Sequence, residues 1–274
     1  MTAAPHDLRV EHLRAPIGVG VRRPRFSWFV DHVRAACELE VSTAGRVVWA
    51  SGEIHTDDAA PVVYAGESLI SNTAYEWRVR SRATEGEWSD WAGSTFETSL
   101  LDPSDWVAPW IEPVQQDAVV ERWSIVDWIR GLGPDSPPEE RLRPAQLLRQ
   151  RFEVGPGAVR ARLFATARGV YSAFINGARS DDHVLAPGFD SYEHRVSFST
   201  ADVTAALVEG ENVLGVALAD GWWAGRIGHT GSSAQFGTRT SVIWQLHIDY
   251  ADGATQIVAS GADVRGATGP WAYA

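Results

Sequence analysis

In the stretch AYEWRVRSRA (74–83), Tyr75, Trp77 and Val79 alternate with Glu76, Arg78, Arg80 and Arg82. A period of two places the apolar set on one face of a strand and the charged set on the other. Shorter runs with strand character surround it: LRVEHL (8–13), RFSWFV (25–30), ACELEVS (36–42), RVVWAS (46–51), VVYAG (62–66) and STFETS (94–99). Strands at this spacing, separated by turn residues, predict a small β-sandwich over residues 1–101. Trp28 and Trp77 are expected to fill its core, since aromatic rings supply much of the burial of a small domain.

Regularity fails between 102 and 146. LLDPSDWVAPWIEP (100–113) reads as a Trp- and Pro-rich link that packs with the second domain. AVVERWSIVDWIRGL predicts one short amphipathic helix, and GPDSPPEERLRP a charged surface loop. Alternation resumes at 147 with LLRQRFEV, VRARLFATAR, GVYSAFING, HRVSFST, NVLGVALADGWW, TSVIWQLHIDY and TQIVAS. Between two of these, ADVTAALVEGEN predicts a helical turn capped by Asp202 and Thr204 and ended near Gly210. Asn176-Gly177 is the dipeptide of a tight hairpin turn. With no βαβ alternation, residues 147–274 are expected to form a second, jelly-roll sandwich, and the chain is all-β.

Composition narrows the function. The formal charge of −11 argues against a nucleic-acid partner, which requires a basic surface. All 24 basic side chains are arginine. Cys37 is the sole cysteine, so no intrachain disulfide is possible, and its alternating surroundings predict a small buried hydrophobe. The first residues show no signal-peptide pattern, and no run approaches 18 apolar residues. The expectation is a soluble, cytoplasmic chain with no membrane partner. Phosphate-binding glycine motifs and H-E-x-x-H are missing as well.

Candidate chemistry concentrates in LADGWWAGRIGHTGSSAQFGTRT (218–240). Gly221 is expected to let a strand kink after Asp220. If the segment is extended, Trp222 and Trp223 point to opposite sides. The outward indole, flanked by Asp220, Arg226 and His229, suits either the C–H face of a sugar or a partner surface. Carboxylate neighbours occur at Asp57/Asp58, Glu139/Glu140 and Asp181/Asp182. An inverting glycosidase needs two carboxyls facing each other about 6.5–9.5 Å apart. Adjacent residues in loops or on strands do not provide that, so no catalytic residue is expected. Asp181, Asp182 and Asp190 are oxygen donors of the kind Ca²⁺ prefers, but they follow no metal-binding spacing.

Two resemblances organise these readings. RFSW, YEWRVRS and GEWSDWAGSTFETS resemble a fibronectin type III module. WSDWA is similar to the WSxWS motif of cytokine receptors, so Arg78, Arg80 and Arg82 are expected to interleave with Trp88 and Trp91. From LLRQRFEV through ARLFATARGVYSAFINGARSDDHVLAPGFDSY to DVTAALVEGENVLGVALADGWWAGRIG, the chain resembles the N-terminal β-domain of bacterial α-L-rhamnosidases, glycoside hydrolase family 78. DWVAPWI at 105–111, PRFSW and VVWASGEI extend the resemblance over most of the chain. It departs at ARSDD, at Phe189 in place of a Trp, and at Ala219 and Trp223 in place of Asp and Tyr.

The resemblance implies a non-catalytic N-terminal part. In the family, an (α/α)₆ barrel beyond this region carries the acid and base, and the chain is expected to be inactive alone. The β-domain would support that barrel or help hold rhamnose-containing glycosides. In some relatives such a domain is a calcium-assisted rhamnose module. The alternative is a stand-alone carbohydrate-binding protein.

Overall fold

The three-dimensional structure is a computed structural model, describing residues 2–31, 33–55, 60–84, 86–132, 142–228 and 231–270. The chain divides into two compact units, Met1–Asp105 and Trp106–Ala274. Among the described residues, no helix is long and apolar enough to cross a membrane.

The first unit contains β1 (His6–Val10), β2 (Arg25–Phe29), β3 (Arg34–Thr43), β4 (Arg46–Ala50), β5 (Ile54–His55), β6 (Val62–Val63), β7 (Ala74–Ala83) and β8 (Ala92–Glu97). One sheet has the order β1-β2-β6 and the other β4-β3-β7-β8, with β5 also paired to β3. All of these pairings are antiparallel. The predicted alternation of β7 is realised: Tyr75, Trp77 and Val79 are buried while Glu76 and Arg78 are exposed. Phe26 lies 4.8 Å from Trp77 and 5.8 Å from Phe96 between ring centroids, and Trp28 packs on the edge of the same cluster. Each such ring contributes roughly 1.5–3 kcal/mol by burial. Cys37 is fully buried among them, which pushes its thiol pKa up. The expected strand 8–13 stops at Val10, because Glu11 and His12 adopt positive φ of 50° and 69°.

The outer face of β7 carries an arginine–tryptophan ladder. Arg78 lies 4.5 Å from the Trp91 ring, Arg80 4.8 Å from Trp91 and 4.7 Å from Trp88, and Arg82 5.2 Å from Trp88. The same guanidinium groups pair with Glu40, Glu38 and Glu53 respectively. Planar guanidinium can stack on indole and bond carboxylate at its edge at once, which lysine cannot do.

The second unit contains β9 (Gln146–Val154), β10 (Ala158–Arg168), β11 (Val170–Ile175), β12 (Ala178–Arg179), β13 (Ser199–Asp202), β14 (Gly210–Ala219), β15 (Arg226–Ile227), β16 (Ser232–Ser233), β17 (Ser241–Tyr250), β18 (Thr255–Ala259) and β19 (Arg265–Thr268). Helices are short: α1 (Ile125–Ile129) and α2 (Gly221–Ala224). A five-stranded sheet, β12-β11-β14-β9-β19, faces a four-stranded one, β13-β10-β17-β18, in a jelly-roll-type sandwich. Ile175, Leu214, Leu218, Trp244, Leu246 and Ile248 fill the space between them. Polar groups also cross this core: the Tyr171 hydroxyl of β11 donates to the Ala165 carbonyl of β10 at 2.8 Å. Gln150 of β9 accepts the Trp244 indole N–H at 2.7 Å and donates to the Ala259 carbonyl at 2.8 Å.

Asn176 and Gly177 form the predicted turn, with φ of 51° and 87°. Asn176 does more than turn the chain: its amide donates to the Ala206 carbonyl and the Asn212 side chain, and its oxygen accepts from Val213 N–H. Three expectations are corrected. HRVSFST was expected to be a strand over 194–200, but β13 begins only at Ser199. Asp202 ends β13 and closes an Asx-type turn by accepting from Thr204 N–H at 3.0 Å and its hydroxyl at 2.6 Å. The helical N-cap is therefore Val203, and Gly210, with φ of 91°, opens β14 rather than ending a helix. The charged surface loop expected over GPDSPPEERLRP (133–144) lies for the most part outside the described residues, while the described chain before it packs on the second sandwich. Ile111 bridges Val242, Ala118 N–H donates to Thr238, and Glu121 is buried. Its helix α1 is only five residues long, closed by a capping box between Ser124 and Asp127.

Replacing Arg80 by Ala removes two indole contacts and an ion pair. It should destabilise the first unit by about 1–2 kcal/mol, read as a lower urea midpoint of tryptophan fluorescence. An unchanged midpoint would reduce the ladder to decoration. In the same unit, hydrogen bonds from Arg9 and then Arg14 hold the Asp7 carboxyl at about 2, below its usual 3.8. Because the folded pKa is the lower one, its contribution is present above about pH 4 and is lost as pH falls toward 2. Asp7→Asn should flatten the stability profile over that window and leave the rest of the curve parallel.

Candidate functional site

The stretch that follows β14 is helical rather than extended, and glycine is the cause. Gly221 has φ of 50°, and a Cβ there would lie 2.5 Å from Val170 Cγ1. A left-handed residue pressed against β11 ends the strand and starts the single turn α2. The two tryptophans therefore leave a helical turn about 100° apart rather than from opposite faces of a strand. This corrects the expectation of one buried and one outward indole: both are half-buried.

Trp223 belongs to an aromatic cluster. Its ring meets Tyr192 edge-on at 5.3 Å and Phe236 at 6.4 Å, the Arg168 guanidinium lies 5.4 Å from its centroid, and its N–H donates to the Arg239 carbonyl at 2.9 Å. Gly237 lies flat on the same indole, where a Cβ would come within 2.4 Å of the ring nitrogen. Such a ring is a packing device. Trp222 is less committed, 6.1 Å from Phe189, which is 62% exposed.

Asp220 is the centre of the polar chemistry. It receives two hydrogen bonds from the Arg143 guanidinium, the Nε one at 3.3 Å, and both partners are largely buried. Arg143 also donates to the Gln116 and Thr238 carbonyls and to Gln115 Oε1 at 3.2 Å. Gln115 in turn accepts from Thr240 N–H and Oγ–H at 3.0 Å and donates to the Thr240 carbonyl at 2.8 Å. Asp220 borders two cavities. One, of about 390 Å³, is lined by Val114, Gln115, Arg143, Gln146, Asp220 and Thr268 among others. The other, of about 220 Å³, lies past Asp220 toward Ala224 and Arg226.

Arg226 forms an ion pair with Glu121, a carboxylate only 8% exposed. Of the predicted cluster, then, Asp220 and Arg226 flank one cavity, whereas Trp223 is taken up by packing. His229 lies outside the described residues, as do Asp57/Asp58 and Glu139/Glu140. Arg143, Gln115 and Glu121 were missed by sequence reasoning, since strand periodicity is silent on irregular chain. The only signal was a run of polar residues abutting the strand LLRQRFEV.

The aspartates considered for calcium have other tasks. Asp190 is buried and accepts from Ser197 N–H and, at 3.0 Å, from its hydroxyl. Asp181 accepts from His183 N–H at 2.9 Å and from the Ser180 hydroxyl at 3.2 Å, and Asp182 is exposed. Among the described residues, no three His, Cys, Asp or Glu side chains are grouped to hold a metal ion. One cavity, of about 300 Å³ in the first unit, has two carboxylates in its lining, Glu76 and Glu97. They sit diagonally on the outer face of paired strands β7 and β8.

Truncating Asp220 to Ala leaves the Arg143 charge buried without its partner. A loss of about 3–5 kcal/mol follows for the second unit, with Asp220→Asn milder because it retains an acceptor. Chemical denaturation of the two variants measures this. A cost below about 1 kcal/mol for the alanine would mean the clamp is dispensable.

Residues 157–274 match the family described as the α-L-rhamnosidase N-terminal domain, and residues 5–102 the Rha78A-like N-terminal immunoglobulin domain. An α-L-rhamnosidase of Formosa agariphila is 28% identical over 270 residues, covering 94% of this chain and 28% of the relative. One from Streptomyces avermitilis is 26% identical, covering 95% of this chain and 40% of the relative. The crystal structure of the native enzyme from Aspergillus terreus superposes with a TM-score of 0.81 at 31% identity, over 97% of this chain and 30% of that one. The chain thus spans well under half the length of these relatives.

Proposed function

The chain belongs to the N-terminal region of the family 78 α-L-rhamnosidases, and from that premise we propose that it is a non-catalytic scaffold for an (α/α)₆ catalytic barrel that removes terminal α-L-rhamnose from glycosides. The observation that supports this reading is apolar surface left over after both cores are full. In α1, Ile125, Val126, Trp128 and Ile129 are 48–71% exposed. Val184, Leu185 and Phe189, beside Trp222, are 53–81% exposed. Side chains of this size cluster on a surface where a partner covers them. The antiparallel strand orders of the first unit, β1-β2-β6 and β4-β3-β7-β8 with β5 on β3, also support the finer, fibronectin type III-like reading of its immunoglobulin-type sandwich.

A second reading, a free-standing rhamnose-binding module, is favoured by one feature, the accessible ring pair Phe189 and Trp222. The two readings separate in solution. On the scaffold reading, L-rhamnose leaves tryptophan fluorescence unchanged. Saturable quenching lost in Trp222→Ala would establish the binding module instead.

Hydrolysis gives the stricter test. The isolated chain should show no turnover of an aryl α-L-rhamnoside above buffer. Steady hydrolysis abolished by Glu76→Gln or Glu97→Gln would place an acid–base pair in the first unit and overturn the proposal. Phe189→Ser and Trp128→Ser should leave stability within about 0.5 kcal/mol, as surface positions do. A larger loss would assign those rings to the cores.

A further inference from the structure

The outer face of the five-stranded sheet holds a row of side chains of which only Arg179 is engaged locally, by the Asp181 and His183 carbonyls. Strand register places Arg179, Phe174, Gly215, Arg149 and Arg265 side by side across β12, β11, β14, β9 and β19. Directly paired residues point to the same side of a sheet, and the inward set of β9, including Leu148, Gln150 and Phe152, is buried on the other. Arg149 and Arg265 are thus cross-strand neighbours of like charge, an arrangement that destabilises a sheet unless an anion lies between them.

The chain has charge enough to avoid this. It carries 35 carboxylates to 24 arginines, and most other strand arginines have found one: Arg78 pairs with Glu40, Arg80 with Glu38, Arg160 with Asp249 and Arg162 with Asp202. Among the described residues, Arg149 and Arg265 have no ion-pair partner. With Arg151 and Asp263 they line a cavity of about 300 Å³. Arg151 is only loosely engaged by Glu211, at 3.5 Å. The Asp263 carboxylate accepts from Gln150 Nε2 at 2.9 Å, the same side chain whose other end is bound to Trp244.

Beside the arginines the surface drops. Gly215 stands mid-strand, where glycine weakens pairing and frequently marks the close approach of another molecule. Its backbone does not demand glycine: a Cβ there would meet nothing nearer than 3.9 Å. The result is a trough one strand wide, flanked by the strands that carry Phe174 and Arg149, whose backbones lie about 10 Å apart at a strand spacing of about 4.8 Å. That width accepts one pyranose ring.

We propose that this face binds a saccharide carrying an acidic group, its ring over Gly215 against Phe174 and its oxoanion, a uronate carboxylate or a sulfate ester, between Arg149 and Arg265. Guanidinium meets both anions through paired N–H donors. The saccharide part rests on the glycoside reading above, while the oxoanion part rests on the arginines alone.

Titration of the whole chain with glucuronic acid, a 6-sulfated hexose, the neutral hexose and inorganic sulfate, followed by NMR shifts of the arginine Nε–H groups, tests it. One or both acidic sugars should bind at least tenfold more tightly than the neutral sugar, and more weakly as salt rises. Which acid wins identifies the source of the anion. Arg149→Gln with Arg265→Gln should abolish the difference. Gly215→Val, which fills the trough without clashing, should abolish binding of the acidic sugar while the melting temperature holds or rises.

Equal binding of acidic and neutral sugars overturns the proposal, as does an effect of Gly215→Val that merely follows a fall in stability. Inorganic sulfate binding as tightly as the sugars, with Gly215→Val silent, overturns the saccharide part. Rhamnoside turnover by the isolated chain would refute the scaffold reading without touching these measurements.

Discussion

The Arg143 guanidinium ties the irregular segment after Trp106 into the second sandwich, beside the Ile111–Val242 bridge and the Arg226–Glu121 ion pair. Arg143 donates to the carbonyls of Gln116 and Thr238, to Gln115 and to Asp220. Its fork of fixed donors thereby fastens three chain segments that no strand pairing joins. Remove it and Asp220 becomes a buried carboxylate beside an apolar sandwich edge, which costs several kcal/mol unless it takes up a proton. The cavity of about 390 Å³ exists because this polar knot, instead of packed aliphatic side chains, closes the sandwich at that end. A polar closure resists collapse better than an apolar one, since its donors and acceptors are satisfied only at fixed separations.

Legibility in the sequence followed periodicity. β7 lies where AYEWRVRSRA alternates, and β9, β10, β17 and β18 fall within a residue or two of the runs that predicted them. The arginine–tryptophan ladder was readable for the same reason, because alternate positions on one strand share a face. What escaped was structure with no period. β5, β12, β15 and β16 are two residues each, too short to express alternation. The Gly-Trp-Trp stretch reads as extended in the sequence, yet one glycine in the left-handed region converts it to a helical turn, and that depends on Val170, fifty residues upstream. Asp220 and Arg226 could be named as polar neighbours of the tryptophans, but their partners Arg143 and Glu121 come from chain whose path only the folded state defines.

Arginine is used in this protein in three ways, and contrast among them gives each its meaning. On the first unit it stacks between indoles while its edges bind glutamates. At the edge of the second sandwich Arg143 is largely buried and donates to the carbonyls of Gln116 and Thr238 in irregular chain. In both settings its charge is paired with a carboxylate within the protein. Having no lysine, the chain cannot rely on a flexible, strongly hydrated cation at any of these places.

The outer face of the five-stranded sheet departs from that pattern, and the departure bears on the scaffold reading. A scaffold alone requires only that its outward faces be soluble or covered, and either is achieved more readily by mixed charges than by two arginines placed opposite each other. Lining up like charges beside a mid-strand glycine costs sheet stability twice, once in repulsion and once in lost β-propensity. A cost of that kind persists when something outside the chain offsets it, and the geometry limits what that is: an anion small enough to sit between two guanidinium groups, attached to a body one strand-width across. The apolar surface at α1 and Phe189 has no such charge pattern and suits a protein neighbour instead. On the two readings proposed above, one domain would meet a protein partner through one surface and an acidic glycan through another, while the Gln150–Trp244 hydrogen bond links the two sheets between them.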